Sequence, residues 1–600
     1  MRVKLIGVFC FSVLMVPLAL PSWAQQGIDP RVLAYADTVL YNGKILTADD
    51  QFTIVEAVAI RDGEFLARGT TSDILRVAGP ETRRIDLGGK TVVPGFIESH
   101  AHKWLGQSLK RGPEGSLSFA TPEEGLEKLR QKVDRVPPGK VLQFLAPKSK
   151  AAFSLTRWDL DRVSPQNPVL LSFNTYTFII ISLALKMVLE HLEKSGLDAE
   201  SICVLKDPNT GEFTGQLRGL ASGLLGYEIL PWPDVKALEP TEVARLKEYL
   251  TEGTTMVIGR APGAQITILR NIWVRGELPV RVRLTHEFLR DNPHPEAYLK
   301  RMGSLTGLGD DWLKIIGTTV QQPDDVGHLT SYPKLRVDPG DPGGLYATNR
   351  WAKYSNAREA ILLAARYGWN ITSQHAKGDE SVRTLLKAFD EASGGEPLSD
   401  GRRWVIDHNT NGMDDTVALM KKLEVIPSIF AWWGRDDTWD PERDPGVSGS
   451  GGGQPAGGRS RPASVKSEIY EYGADRLQGN WSQARSFIDA GLKPVIENLG
   501  EGPHVPLRHL QAFITRKDDA TGVVWAPQEK VSRQEALWMK TRWVAYISGD
   551  ENKLGSIEEG KLADLAVLDG DYLTVPEEEI EKLRVVMTVV DGKVVYERGN

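Results

Sequence analysis

Two histidines one residue apart, His100 and His102 in "GFIESHAHKW", directly follow the β-branched run Thr91-Val92-Val93 and a Pro94-Gly95 break. At a strand end, side chains two apart share a face, so both imidazoles can converge on one metal. Alone, the pair could equally line a polar face. Two more histidines add weight: His375 follows the strand-like "WNITSQ" and His408 follows "RWVID", so each closes a strand. From 375 to 408 is 33 residues, about one strand-helix unit, which places them on adjacent strands. Four imidazoles on one rim favour Zn2+ or a similar borderline metal. His286 ends "VRVRLT" and could line the same pocket, whereas His191, His294, His328, His504 and His509 read as surface or loop groups. Lys314, in the apolar setting "DDWLKIIG", reads either as an ion-paired lysine or as a carbamate bridging two metals. Trp104, Trp432 and Trp433 stand near strand ends, as pocket lining or as core.

The elements that must position these residues follow from pattern. Residues 36 to 93 alternate apolar and polar, with hairpin signals at Asn42-Gly43 and Asp62-Gly63. A similar pattern returns in "KLADLAVLDGDYLTV" and "VVMTVVDGKVVYERG", predicting a small β-sandwich built from both chain ends, residues 25–94 and 546–600. Between them, residues 95–545 alternate strand and helix, as in "YGWNITSQHAKGDESVRTLLKAFDEA". That predicts an α/β fold, a (β/α)8 TIM-like barrel with its active site where the strands end. Residues 107–240 exceed one strand-helix unit and read as an inserted subdomain. In it, "TPEEGLEKLRQKV" opens with the capping residues Thr121 and Glu124 and with Pro122 at the first helical position. Residues 444–464, rich in Gly, Ser and Pro, read as a flexible loop, either a lid or a passive surface insertion.

The start of the chain reads as a signal peptide over residues 1–24, with Arg2 and Lys4 before an apolar run and small residues at Ser22 and Ala24. The run of about 16 residues falls short of the roughly 20 that span a bilayer. Cleavage after Ala24 implies a periplasmic or secreted bacterial protein with no membrane attachment. It also leaves Cys203 as the single cysteine, so no internal disulfide forms and metal ligands must come from other residue types. A net charge of −7 without a basic cluster argues against nucleic acid as a partner and leaves a small-molecule substrate.

The segments "VVPGFIESHAH", "QHAKGDESV", "VIDHN" and the tail "SIEEGKLADLAVLDGDYL" together resemble the amidohydrolase superfamily in its amidohydrolase family 3 (YtcJ-like) branch. "DPNTGEFTGQLRG" resembles part of that branch's inserted region. The resemblance implies a metal-bearing barrel and hydrolysis of non-peptide C–N bonds in amides, formamides, ureas or cyclic imides. It gives ligand roles to His100, His102, His375 and His408, makes Lys314 the bridging carbamate of a one- or two-zinc site, and suggests a homodimer, since barrel hydrolases of this type often pair.

The chain also departs from that pattern. Where the branch ends its last barrel strand with a metal-binding, proton-shuttling aspartate, this chain reads "VIENLG", making Glu497 the nearest carboxylate and the residue to carry the proton. Thr177 stands nearest a histidine of the inserted region, and Thr318-Thr319 replace an Asp-Gly pair. Regular alternation turns Asp407 away from His408, and Asp379 reads as a cap or loop anchor. A competing reading is a metal- or ligand-binding pseudoenzyme on the same fold; a metal-free barrel using paired carboxylates finds no signposted pair.

Overall fold

A computed structural model describes residues 35–101, 114–147, 150–173, 177–195, 199, 204–218, 225, 229, 232–289, 292, 294–320, 357–398, 401–410, 413–430, 473–497, 505–518 and 521–599. The expected signal peptide at residues 1–24, His102, Trp104, the glycine-rich stretch at 444–464, and Trp432 and Trp433 lie outside the described residues.

Among the described residues, the centre of the molecule is a TIM-barrel-like array of eight parallel strands. In chain order these are β1 (Phe96–Glu98), β2 (Thr254–Ala261), β3 (Arg281–His286), β4 (Leu313–Thr318), β5 (Gln374–His375), β6 (Val405–Asp407), β7 (Ile426–Ile429) and β8 (Val495–Ile496). Strands β1 to β4 pair in sequence order, as do β5 to β8, and the bridge Thr318 to Ile371 joins the two sets. Buried on both faces, the strands read as near-continuous apolar runs, and every residue of β2 is buried. One apolar layer takes Ile97, Met256, Ile258, Ile316, Val405, Ile426 and Val495 from six of the strands. Helices such as Asp379–Ser393 and Asp414–Leu423 cover the outside, packing Val382, Leu386, Val417 and Met420 against it. First and last strands are tied by side chains: Ser99 Oγ donates to the Ile496 carbonyl at 3.2 Å. Lys540 Nζ donates to the same carbonyl at 3.1 Å and pairs with Glu98 at 2.8 Å.

Both chain ends contribute to one six-stranded sheet, which runs Lys593–Glu597, Val585–Val590, Leu565–Leu568, Thr91–Pro94, Lys44–Leu46 and Ile54–Val55. A four-stranded sheet from residues 36–86 shares an apolar cluster with it, including Leu40, Phe65, Val92 and Leu565. The Asp62-Gly63 hairpin forms, with positive φ at both residues. Asn42-Gly43 does not make a hairpin: Ala36–Tyr41 belongs to the four-stranded sheet and Lys44–Leu46 to the six-stranded one. Gly43 is required there because a Cβ would sit 2.3 Å from Leu87 Cδ1.

After β1 comes a five-stranded sheet of its own (residues 142–145, 169–172, 177–180, 204–206 and 213–218), with a separate apolar cluster around Phe144, Leu171 and Ile180. Its helix Pro122–Val133 starts as the capping residues require, with Thr121 Oγ1 accepting from the Glu124 N–H. Glu124 reaches back to the Ala120 N–H, one residue beyond the cap. No helix among the described residues is long and apolar enough to cross a membrane.

Candidate metal centre

The C-terminal ends of β1, β5 and β6 bring three imidazoles together. Donor nitrogens of His100, His375 and His408 all lie within 4.8 Å of one another. His100 Nε2 and His375 Nε2 are 3.1 Å apart, and the His375 and His408 ring centroids are 3.9 Å apart. Two backbone kinks make this convergence. His408 has φ of +60° and Ser373 has +59°, in the left-handed region that non-glycine residues enter at a cost and that clusters at functional sites.

The kink at His408 corrects the assignment of Asp407 to the far face. On β6, Val405 points into the strand-enclosed layer and Ile406 packs with the outer helices, so alternation turns Asp407 inward. His408 would then point out; its left-handed backbone swings it back. Both side chains therefore reach the site.

Two carboxylates hold the imidazoles. Asp407 Oδ2 lies 2.9 Å from His100 Nδ1 and accepts from Ser373 Oγ at 2.6 Å. Glu497, directly after β8, takes both the backbone N–H and Nδ1 of His408 on Oε1, at 2.9 and 2.7 Å, and accepts from Ser428 Oγ on Oε2 at 3.0 Å. Below them Glu98 Oε1 accepts the His100 N–H at 2.9 Å, while its other oxygen pairs with the buried Lys540. Burial, then His408 and Arg260, hold His100 well below the usual histidine range, so its imidazole is neutral at neutral pH. Burial pushes Asp407 up. Glu497 is pushed up well above the usual range by burial and by the neighbouring Asp407.

This donor set fits a divalent cation. Tetrahedral zinc with Zn–N bonds of 2.0–2.1 Å places ligand nitrogens roughly 3.3 Å apart, close to the observed Nε2 separation. With Nδ1 of His100 and His408 engaged by carboxylates, the Nε2 lone pairs become the metal donors. Asp407 Oδ1 is buried and has no hydrogen-bond partner among the described residues, which favours a cation nearby.

Lys314 is not part of this cluster, contrary to the bridging role expected for it. It stands near the start of β4, at the opposite end of the strands, where its Nζ pairs with Asp550. Thr318 and Thr319 occupy the C-terminal end of β4, with Thr318 Oγ1 donating to the His286 carbonyl. His286 is stacked edge-on against Phe288, and burial lowers it to about 4. Asp379 opens its helix after the cap residue Gly378 and is bound by Arg383 and Arg476. Thr177 begins a strand of the inserted sheet. Ser373, Ser428 and the Glu98–Lys540 pair gave no sequence signal, since each acts through a partner distant in the chain.

Fold and site together are those expected of a metal-dependent hydrolase of the amidohydrolase type. The chain belongs to the amidohydrolase family, whose model matches residues 83–450 and 499–596. Glu497 falls in the break of that match. An N-substituted formamide deformylase of Arthrobacter pascens is 25% identical over 599 residues, covering 94% of this chain and 98% of that one. YtcJ of Bacillus subtilis (strain 168) is 24% identical over 584 residues, covering 94% and 99%. Among solved structures, an uncharacterized metal-dependent hydrolase from Pyrococcus furiosus superimposes with a TM-score of 0.58 at 22% identity, covering 90% of this chain and all of that one, a likeness of fold.

Proposed function

We propose that the protein is an exported hydrolase that uses one zinc ion to cleave a small amide, with formamides, N-acyl amino acids, ureas and cyclic imides as the substrate classes. His100, His375 and His408 hold the ion, with His102 as a fourth imidazole. The observation that carries this reading is the 3.1 Å approach of the His100 and His375 Nε2 atoms beside His408, with carboxylates bracing the rings of His100 and His408. One ion rather than two is the reading that fits the β4 end, where Thr318 and Thr319 stand, and Lys314, which is paired with Asp550 at the other end of the strands.

A zinc ion held by His100, His375 and His408 would lower the pKa of a bound water to roughly 7 and polarise the scissile carbonyl. Glu497 accepts the proton as the water oxygen bonds to the carbonyl carbon. It returns that proton to the nitrogen as the C–N bond breaks, releasing acid and amine. Its raised affinity for a proton suits it to hold one for that interval. Ser428 supports the exchange, because its hydroxyl can turn from donor to acceptor when Oε2 is protonated.

The eight strands close into a (β/α)8 barrel, the two terminal sheets form a sandwich, and residues 107–240 are an insertion over the barrel. The leader, cleaved after Ala24, delivers the mature protein to the periplasm or the medium, where it works on small molecules without nucleic acid or membrane, as a homodimer. The test is turnover on a panel of formamides, N-acyl amino acids and cyclic imides. Glu497→Gln is expected to lower turnover about 10²- to 10⁴-fold while retaining zinc. Near-normal turnover in that variant would move the proton to another residue.

A further inference from the structure

We propose that Asp407 is a positioning residue for the metal centre, fixing His100 with its proton on Nδ1 and its lone pair on Nε2. The inference rests on the metal-centre reading above and adds a residue that the family pattern of strand-8 carboxylates does not supply.

Hydrogen-bond arithmetic carries it. Ser373 Oγ lies 2.6 Å from Asp407 Oδ2 and 3.2 Å from His100 Nδ1, and His100 Nδ1 lies 2.9 Å from the same Oδ2. The three atoms form a closed triangle, and Asp407 Oδ2, which accepts the serine hydrogen, carries none of its own to give. The serine has a single hydrogen, and the shorter contact takes it to Asp407. The remaining 2.9 Å contact needs a hydrogen as well, and only the His100 Nδ1–H can provide it. The opposite tautomer would set a nitrogen lone pair against a carboxylate oxygen at that distance. The lone pair is then on Nε2, and Nε2 is the atom facing His375.

The arrangement is crossed between strands. The β6 carboxylate Asp407 braces the imidazole after β1, whereas Glu497 after β8 braces the imidazole after β6. Each brace therefore joins parts of the chain that pattern alone keeps apart. The left-handed backbone at Ser373 is a local cost that brings the hydroxyl to the carboxylate, as expected where geometry serves a site.

The test uses the full-length protein and its isosteric variant Asp407→Asn, beside Asp407→Ala. Zinc affinity is measured by competition with a chelator, and the cobalt-substituted forms are compared by visible absorption. Both variants are expected to bind zinc more weakly, by about 10- to 100-fold, with a shifted cobalt spectrum. Nitrogen-15 NMR of wild-type histidine side chains should show His100 protonated on Nδ1. A folded Asp407→Asn with wild-type zinc affinity and an unchanged cobalt spectrum overturns the proposal alone. A wild-type protein that takes up no zinc overturns the metal-centre reading and this proposal with it.

Discussion

The two ends of the same parallel strands are built from charged groups used in opposite ways. At the C-terminal end, three imidazoles face each other, His100 held well below its ordinary range by burial, and the carboxylates behind them are pushed up by burial. At the N-terminal end, Arg283, Lys314 and Asp550 neutralise one another: Arg283 Nε lies 2.6 Å from Asp550 Oδ2, and Lys314 takes the other oxygen. Burial pushes the Asp550 carboxyl up, but Arg283 and Lys314 together hold it below its usual range. Arg281 pairs with Asp564 and Asp591 in the same region, fastening β3 to the C-terminal sheet. One end leaves its charges poised for a cation and a reaction, and the other satisfies them for stability, the division expected of this architecture.

Substitutions at the two ends should separate these roles. His375→Ala is expected to have the largest effect, removing the metal and abolishing turnover with little change in thermal stability; retained zinc would break the assignment. Asp550→Ala should do the reverse. It leaves the fully buried Arg283 without its carboxylate, an expected cost of about 3–5 kcal/mol by denaturant unfolding, with zinc stoichiometry unchanged. Lys314→Met should cost less, about 2 kcal/mol, because Arg283 still satisfies Asp550. It should also leave activity indifferent to carbon dioxide.

The smallest effect concerns His286, which burial lowers to about 4. Above its ordinary value near 6.5 both folded and unfolded states hold it neutral. As pH falls below that value the unfolded state takes up the proton first, so stability declines until the folded group also protonates near 4. The loss should reach about 1 kcal/mol by about pH 6, and His286→Gln should flatten it.

These contrasts also explain what could be read from sequence. His375 and His408 were legible because each closes an apolar run, and strand ends in a parallel array share a rim. Asp407 was not: alternation predicts orientation only while the backbone stays extended, and the positive φ at His408 breaks that rule one residue later. Lys314 misled for another reason. Its apolar neighbours correctly implied partial burial, but its partner Asp550 lies 236 residues away, so nothing local distinguished a structural ion pair from a carbamate. The same limit applies to Asn42-Gly43, whose turn chemistry is correct while the two strands it joins enter different sheets.

The most direct test of the account is zinc stoichiometry, by elemental mass spectrometry, of the full-length protein and of Lys314→Met prepared alongside it. One zinc per chain in both is the predicted result, with the imidazole rim holding the ion and the opposite strand end untouched. No zinc in the wild type, or two equivalents that depend on Lys314, would contradict it.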